Sequence, residues 1–128
     1  SQSQMEELYT STFDMQPFCY PYVGYHLFGE SYKRGAFMAK LLEEYRAFGY
    51  TVEKELPDHA AVVLRFLSWS AEARNSDFGR VLLMEGLSPA LEKINEEIAG
   101  QSGNPYRAVF SALYLFLTEI KKIEVAHA

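Results

Sequence analysis

The stretch Ala60-Ala61-Val62-Val63-Leu64-Arg65-Phe66-Leu67-Ser68-Trp69 constrains this chain more than any other. It is a nearly all-apolar run in a chain whose signals are helical, so it reads as a buried helix. Glu55-Leu56-Pro57-Asp58-His59 stands at its mouth. Pro57 suits a first helical turn, where a missing N–H costs nothing. Asp58 in that turn complements the helix dipole. The predicted helix runs to about Ala73, and its polar interior residues are Arg65, Ser68, Ser70 and Glu72. A helix of that pattern belongs at the centre of a core.

The other signals are helical too, and breakers fall at helix-length intervals. A first helix is expected over Gln4 to Phe13, then an aromatic stretch punctuated by Pro17 and Pro21. A short helix from about Pro21 to Phe28 stops at Gly29. From Ser31 to Phe48, the residues Met38, Leu41, Leu42, Tyr45 and Phe48 recur at steps of three and four, and Gly49 fits a helix C′ position. Glu30/Arg34 and Lys40/Glu44 are i,i+4 pairs that read as decoration of a solvated face. Thr51 to Glu55 is a polar linker. Asn75-Ser76-Asp77 caps a region from Phe78 to Ala99, with a break expected at Gly86 and Pro89. After the turn Gly100-Gln101-Ser102-Gly103-Asn104, Pro105 opens a last helix with Val109, Leu113, Phe116, Leu117 and Ile120 as its core face. The fold class is all-α: one domain over residues 1–128, a bundle of about six helices.

Composition narrows the function. A hydrophobic content of 48% supplies one packed core and argues against disorder. A formal charge of −5 disfavours non-specific nucleic-acid binding and suits a basic peptide. The one cysteine, Cys19, excludes an internal disulfide and reads as a core thiol between Phe18 and Tyr20. No signal peptide or membrane span is visible.

Catalytic and metal-binding patterns are incomplete. His26, His59 and His127 are far apart, and adjacent helical residues such as Asp58 and His59 point in different directions. Ser31 has no nucleophile elbow, and Gly100-Gln101-Ser102-Gly103 lacks the lysine of a phosphate loop. On residues alone, Asp58 satisfies helix-start N–H groups, His59 bonds a neighbouring loop, and Phe66 and Trp69 are core. Phe66 and Trp69 also stand at i,i+3, so an open helix edge would make them a peptide anchor.

Three blocks carry a resemblance. They are Tyr9-Thr10-Ser11-Thr12-Phe13-Asp14, then His26-Leu27-Phe28-Gly29-Glu30-Ser31 followed by Arg34-Gly35, and Glu55-Leu56-Pro57-Asp58-His59. Together they resemble the NarJ/TorD family of redox-enzyme maturation chaperones, nearest the NarJ-like nitrate reductase delta subunit branch. The resemblance covers roughly residues 5–120. It implies a cytoplasmic, non-catalytic, all-helical chaperone that holds no cofactor stably. Its partner would be the apo catalytic subunit of a molybdoenzyme, held by an N-terminal or twin-arginine leader segment. The molybdopterin guanine dinucleotide and iron–sulfur cluster would be inserted into that client before membrane attachment or export.

The resemblance places Pro57, Asp58 and His59 in leader binding, with Glu30 across the junction. A groove with a floor of Tyr25, Phe28, Phe66 and Trp69 and a rim of Glu30, Glu55 and Asp58 fits an apolar helix with basic residues at one end. Family members carry additional helices before the Tyr9 block, so the chain reads as a fragment or a minimal version. A homodimer or helix-swapped dimer would cover the apolar surface those helices leave. The rival reading is a helical assembly adaptor without leader binding. An Asp58-His59 edge that is buried and fully satisfied would favour the adaptor.

Overall fold

The computed structural model describes residues 2–9, 20–99 and 105–126. The predicted thiol at Cys19, the 10–14 part of the aromatic block and the 100–104 turn lie outside them. Among the described residues there is no strand. The helices are α1 (Gln2–Tyr9), α2 (Val23–Phe28), α3 (Tyr32–Ala47), α4 (Ala60–Trp69), α5 (Ala71–Asn75), α6 (Asp77–Val81), a π-helical segment (Leu82–Leu87), α7 (Ser88–Ala99) and α8 (Pro105–Ala126). No helix among the described residues is long and apolar enough to cross a membrane.

The all-α expectation holds, with three boundaries redrawn. The helix predicted from Pro57 to Ala73 begins only at Ala60 and breaks at Ser70. Ser70 is extended (φ −130°, ψ 117°), and its hydroxyl accepts the Ala73 N–H at 3.1 Å, capping α5. Arg74 then donates to the Leu67 carbonyl at 2.7 Å, satisfying an orphan acceptor at the end of α4. The break predicted at Gly86 and Pro89 is instead a widening. The Ser88 N–H reaches back to the Leu83 carbonyl, an i→i−5 bond, so the chain passes Pro89 without leaving the helical path.

The chain divides into two units, one from the described parts of Ser1–Pro21 and Leu91–Ala128, the other Tyr22–Ala90. In the first, Leu91, Ile94 and Ile98 of α7 are fully buried at helical spacing, as is nearly all of Leu117 of α8. The predicted core face of α8 is narrower than expected. Leu117 is buried, while Val109 and Phe116 are 58% and 62% exposed. They stand about a quarter-turn round the helix from Leu117.

The second unit carries every candidate site residue. In it α2 packs on α3 and the π segment, and α4 packs on α5 and the π segment. Leu41 and Tyr45 of α3, Val62, Val63, Phe66 and Leu67 of α4, and Leu82 and Leu87 form its core. Phe66 is the hub of a ring cluster, with centroids 4.7 Å from Tyr45, 5.3 Å from Tyr50 and 5.9 Å from Phe48. Gly49 makes that cluster possible. At φ 77° it ends α3 in a left-handed turn, and the Tyr50 N–H then bonds back to the Tyr45 carbonyl at 2.7 Å. Tyr50 thereby swings onto α4, where its hydroxyl donates to the Val62 carbonyl at 3.0 Å.

Phe66→Ala empties the centre of that cluster and is expected to cost about 3–5 kcal/mol. Urea unfolding should show a lowered midpoint at unchanged slope. A loss no larger than that of a surface substitution would remove Phe66 from the hub.

Candidate functional site

The segment Pro57–His59 is not the first turn of α4. It is a turn ahead of the helix, closed by His59 N–H to the Leu56 carbonyl at 3.1 Å. Each of its three residues is tied to a different element. The Pro57 carbonyl accepts the Tyr45 hydroxyl of α3 at 2.8 Å. The Asp58 carbonyl accepts the Val23 N–H of α2 at 2.8 Å, beside an isolated antiparallel bridge between Tyr22 and His59. His59 caps α4: its Nδ1 accepts the Ala61 N–H at 3.1 Å, which requires Nδ1 to be unprotonated.

The Asp58 side chain corrects the expected dipole role. It points away from α4 and is fully buried. Oδ2 accepts Arg34 Nε at 2.9 Å and the Gly24 N–H at 3.2 Å, while Oδ1 accepts Arg34 Nη2 at 3.2 Å. This is a two-pronged guanidinium–carboxylate pair, the strong form of the ion pair. The Arg34 guanidinium also lies over the Tyr22 ring, 5.0 Å from its centroid. Its pKa is raised, first by the hydrogen bonds to Asp58 and then by that carboxylate's charge, against burial. Arg34 thus serves the interior rather than pairing with Glu30 on a solvated face. The Lys40–Glu44 pair does form on the surface, at 3.1 Å.

Gly24 is fixed by the same carboxylate. A Cβ there would stand 2.6 Å from Asp58 Oδ2 and 3.0 Å from both Arg34 Cγ and Phe37 Cδ2. Only a bare backbone lets the Gly24 N–H reach the acid.

The predicted groove is therefore divided between interior and surface. Pro57, Asp58 and His59 are buried, so the Asp58 carboxylate is no rim group. Phe66 is fully buried and so is no exposed floor. Tyr25 is half-buried against the His26 ring at 5.6 Å, and Phe28, 39% exposed, pairs with Phe37 at 5.7 Å. Glu30 and Glu55 are exposed. Trp69 is 55% exposed and rests on Tyr50 at 5.5 Å.

A real groove of about 260 Å³ lies along the linker between α3 and α4. Tyr50, Thr51, Val52, Glu53, Lys54 and Glu55 form one wall; Val62 and Arg65 form the other. Sequence reasoning missed Arg34, Gly24, Tyr50 and Arg65. The available signal was Asp58 itself, since an acid just ahead of an apolar helix needs a cation from elsewhere.

Two expectations follow for this knot. Asp58→Ala strands the Arg34 charge and the Gly24 N–H and should cost about 3–5 kcal/mol by urea unfolding. Asp58→Asn keeps an acceptor and should cost less; equal costs would deny the hydrogen bonds their part. Burial, with smaller contributions from Tyr50 and Asp58, pushes the Tyr45 hydroxyl well above its ordinary 10.0. The folded protein then holds a proton that the unfolded chain releases, so stability is intact below pH 10.0 and falls as pH rises above it. Tyr45→Phe should flatten that alkaline slope in urea titrations at stepped pH.

One comparison with known proteins covers the stretch that holds all three sequence blocks. Residues 1–112 match the family model described as nitrate reductase delta subunit. No curated protein and no solved structure matches the chain.

Proposed function

The chain belongs to the nitrate reductase delta subunit family, whose members assist nitrate reductase assembly, and from that premise we propose that it binds the N-terminal segment of the catalytic subunit. The segment is held while the client receives its molybdopterin guanine dinucleotide, before membrane attachment or twin-arginine export. The chaperone works in the cytoplasm, performs no catalysis and keeps no cofactor of its own.

The observation that carries this reading is Trp69. It is 55% exposed, backed by Tyr50, and stands next to a groove on the unit that holds two of the three motif blocks. An exposed indole on a rigid aromatic support is a ready anchor for a partner. The Pro57–His59 segment contributes by holding α2, α3 and α4 in place rather than by touching the client.

One observation favours the adaptor reading. Asp58 and His59 are buried and bonded, which is what a domain without leader binding would show. The groove and Trp69 lie outside that knot and keep the chaperone reading ahead.

Calorimetric titration with N-terminal peptides of nitrate reductase catalytic subunits separates the two. Binding that weakens at least tenfold in Trp69→Ala, about 1.4 kcal/mol, supports the chaperone. A folded chain that binds none of the peptides leaves the adaptor.

A further inference from the structure

The two walls of the groove carry opposite charge. The linker wall presents Glu53, Lys54 and Glu55, two carboxylates to one ammonium, all exposed. The α4 wall presents Arg65, also exposed. None of these four side chains makes a hydrogen bond or ion pair among the described residues. In the same unit Arg34 is engaged with Asp58, Arg74 with the Leu67 carbonyl and Lys40 with Glu44, while the exposed Lys33, Arg46 and Arg80 are not part of the groove lining. Groups left unpaired on both walls of one groove stay hydrated until a partner supplies countercharges.

The apolar part of the groove lies between them. Val62 and Tyr50 line it, and Trp69, one helical turn beyond Arg65 on α4, rests on Tyr50. Arg65 is close enough to the Tyr50 phenol to pull its pKa down against the larger upward push of burial. The guanidinium, the phenol and the indole therefore form one continuous edge.

We propose that this groove reads charge as well as apolar surface on the client segment, with Arg65 as the residue that sets specificity. The segment it fits places an apolar side chain on Tyr50 and Trp69. It offers a carboxylate to Arg65 on one side and a base to Glu53 and Glu55 on the other. Opposed charges also fix the direction in which the segment lies, because a reversed segment meets like charges on both walls. A leader that is basic throughout is repelled by Arg65. This inference rests on the client-binding reading above and adds the chemistry of the partner.

Trp69 is the single tryptophan of the chain and a built-in reporter. The test titrates the full chain with a tryptophan-free N-terminal peptide of the nitrate reductase catalytic subunit from the same organism, following Trp69 emission. The peptide's acidic residues are changed one at a time to lysine. Arg65→Glu should weaken the native peptide at least tenfold, and one acid-to-lysine peptide should recover affinity on that variant, giving a coupling in the double-mutant cycle. Arg80→Glu makes the same charge change on exposed Arg80 of α6, away from the groove walls, and should leave binding as it was. Circular dichroism confirms that each variant is folded. Wild-type binding that Arg65→Glu leaves intact, or weakens no more than Arg80→Glu does, overturns the charge reading and spares the client-binding one. A folded wild-type chain that shows no saturable change overturns both.

Discussion

A carboxylate with no exposed surface organises the unit from Tyr22 to Ala90. Removing an ionised acid from water costs several kcal/mol even after relaxation, and it is tolerated only when the charge is paired and its lone pairs are used. Asp58 meets that condition with one guanidinium fork and one backbone N–H. The requirement propagates outward. Arg34 must come from the first turns of α3, α2 must bring Gly24 within reach, and Gly24 can carry no side chain. Three helices are thus held by one acid, and the backbone bond from Val23 to the Asp58 carbonyl fixes the same approach a second time.

Periodicity made most helices legible. Leu41 and Tyr45 in α3, and Val62, Val63, Phe66 and Leu67 in α4, are buried as their spacing requires. What periodicity cannot carry is a contact between distant residues. Arg34 has Glu30 one turn before it, and only the fold shows that its fork is taken by Asp58, 24 positions away. The break at Ser70 was hidden for a related reason. An apolar run continues into Ala71 and Ala73, and the decision falls to a hydroxyl cap and to Arg74 reaching back to Leu67. The α8 face was misread because Val109 and Phe116 satisfy a three-and-four spacing with Leu113 and Leu117 while lying on the flank of the covered stripe.

The candidate site was legible as a neighbourhood and not as a set of roles. A motif shared with a family says that its residues matter; it does not say whether they touch a partner or hold the frame. Burial decides between these here. Pro57, Asp58 and His59 have their polar groups engaged inside the protein, which is the arrangement of residues that hold a frame.

That geometry has a traceable route to the groove. The Pro57 carbonyl holds the Tyr45 hydroxyl, and the Tyr45 ring meets Tyr50 at 5.1 Å. Tyr50 lines the groove, bonds to α4 at Val62 and supports Trp69. One hydrogen bond and two ring contacts therefore connect the motif to the exposed indole, with Phe66 packed behind Tyr45 and Tyr50 as a rigid backing. A substitution in the motif can weaken partner binding without any contact to the partner, by letting Tyr45 and then Tyr50 move. Loss of binding in an Asp58 variant is accordingly evidence about the frame. Under the proposed function, residues that meet the client are to be sought among side chains that are exposed and unpaired, and in this unit the groove beside Trp69 gathers four of them.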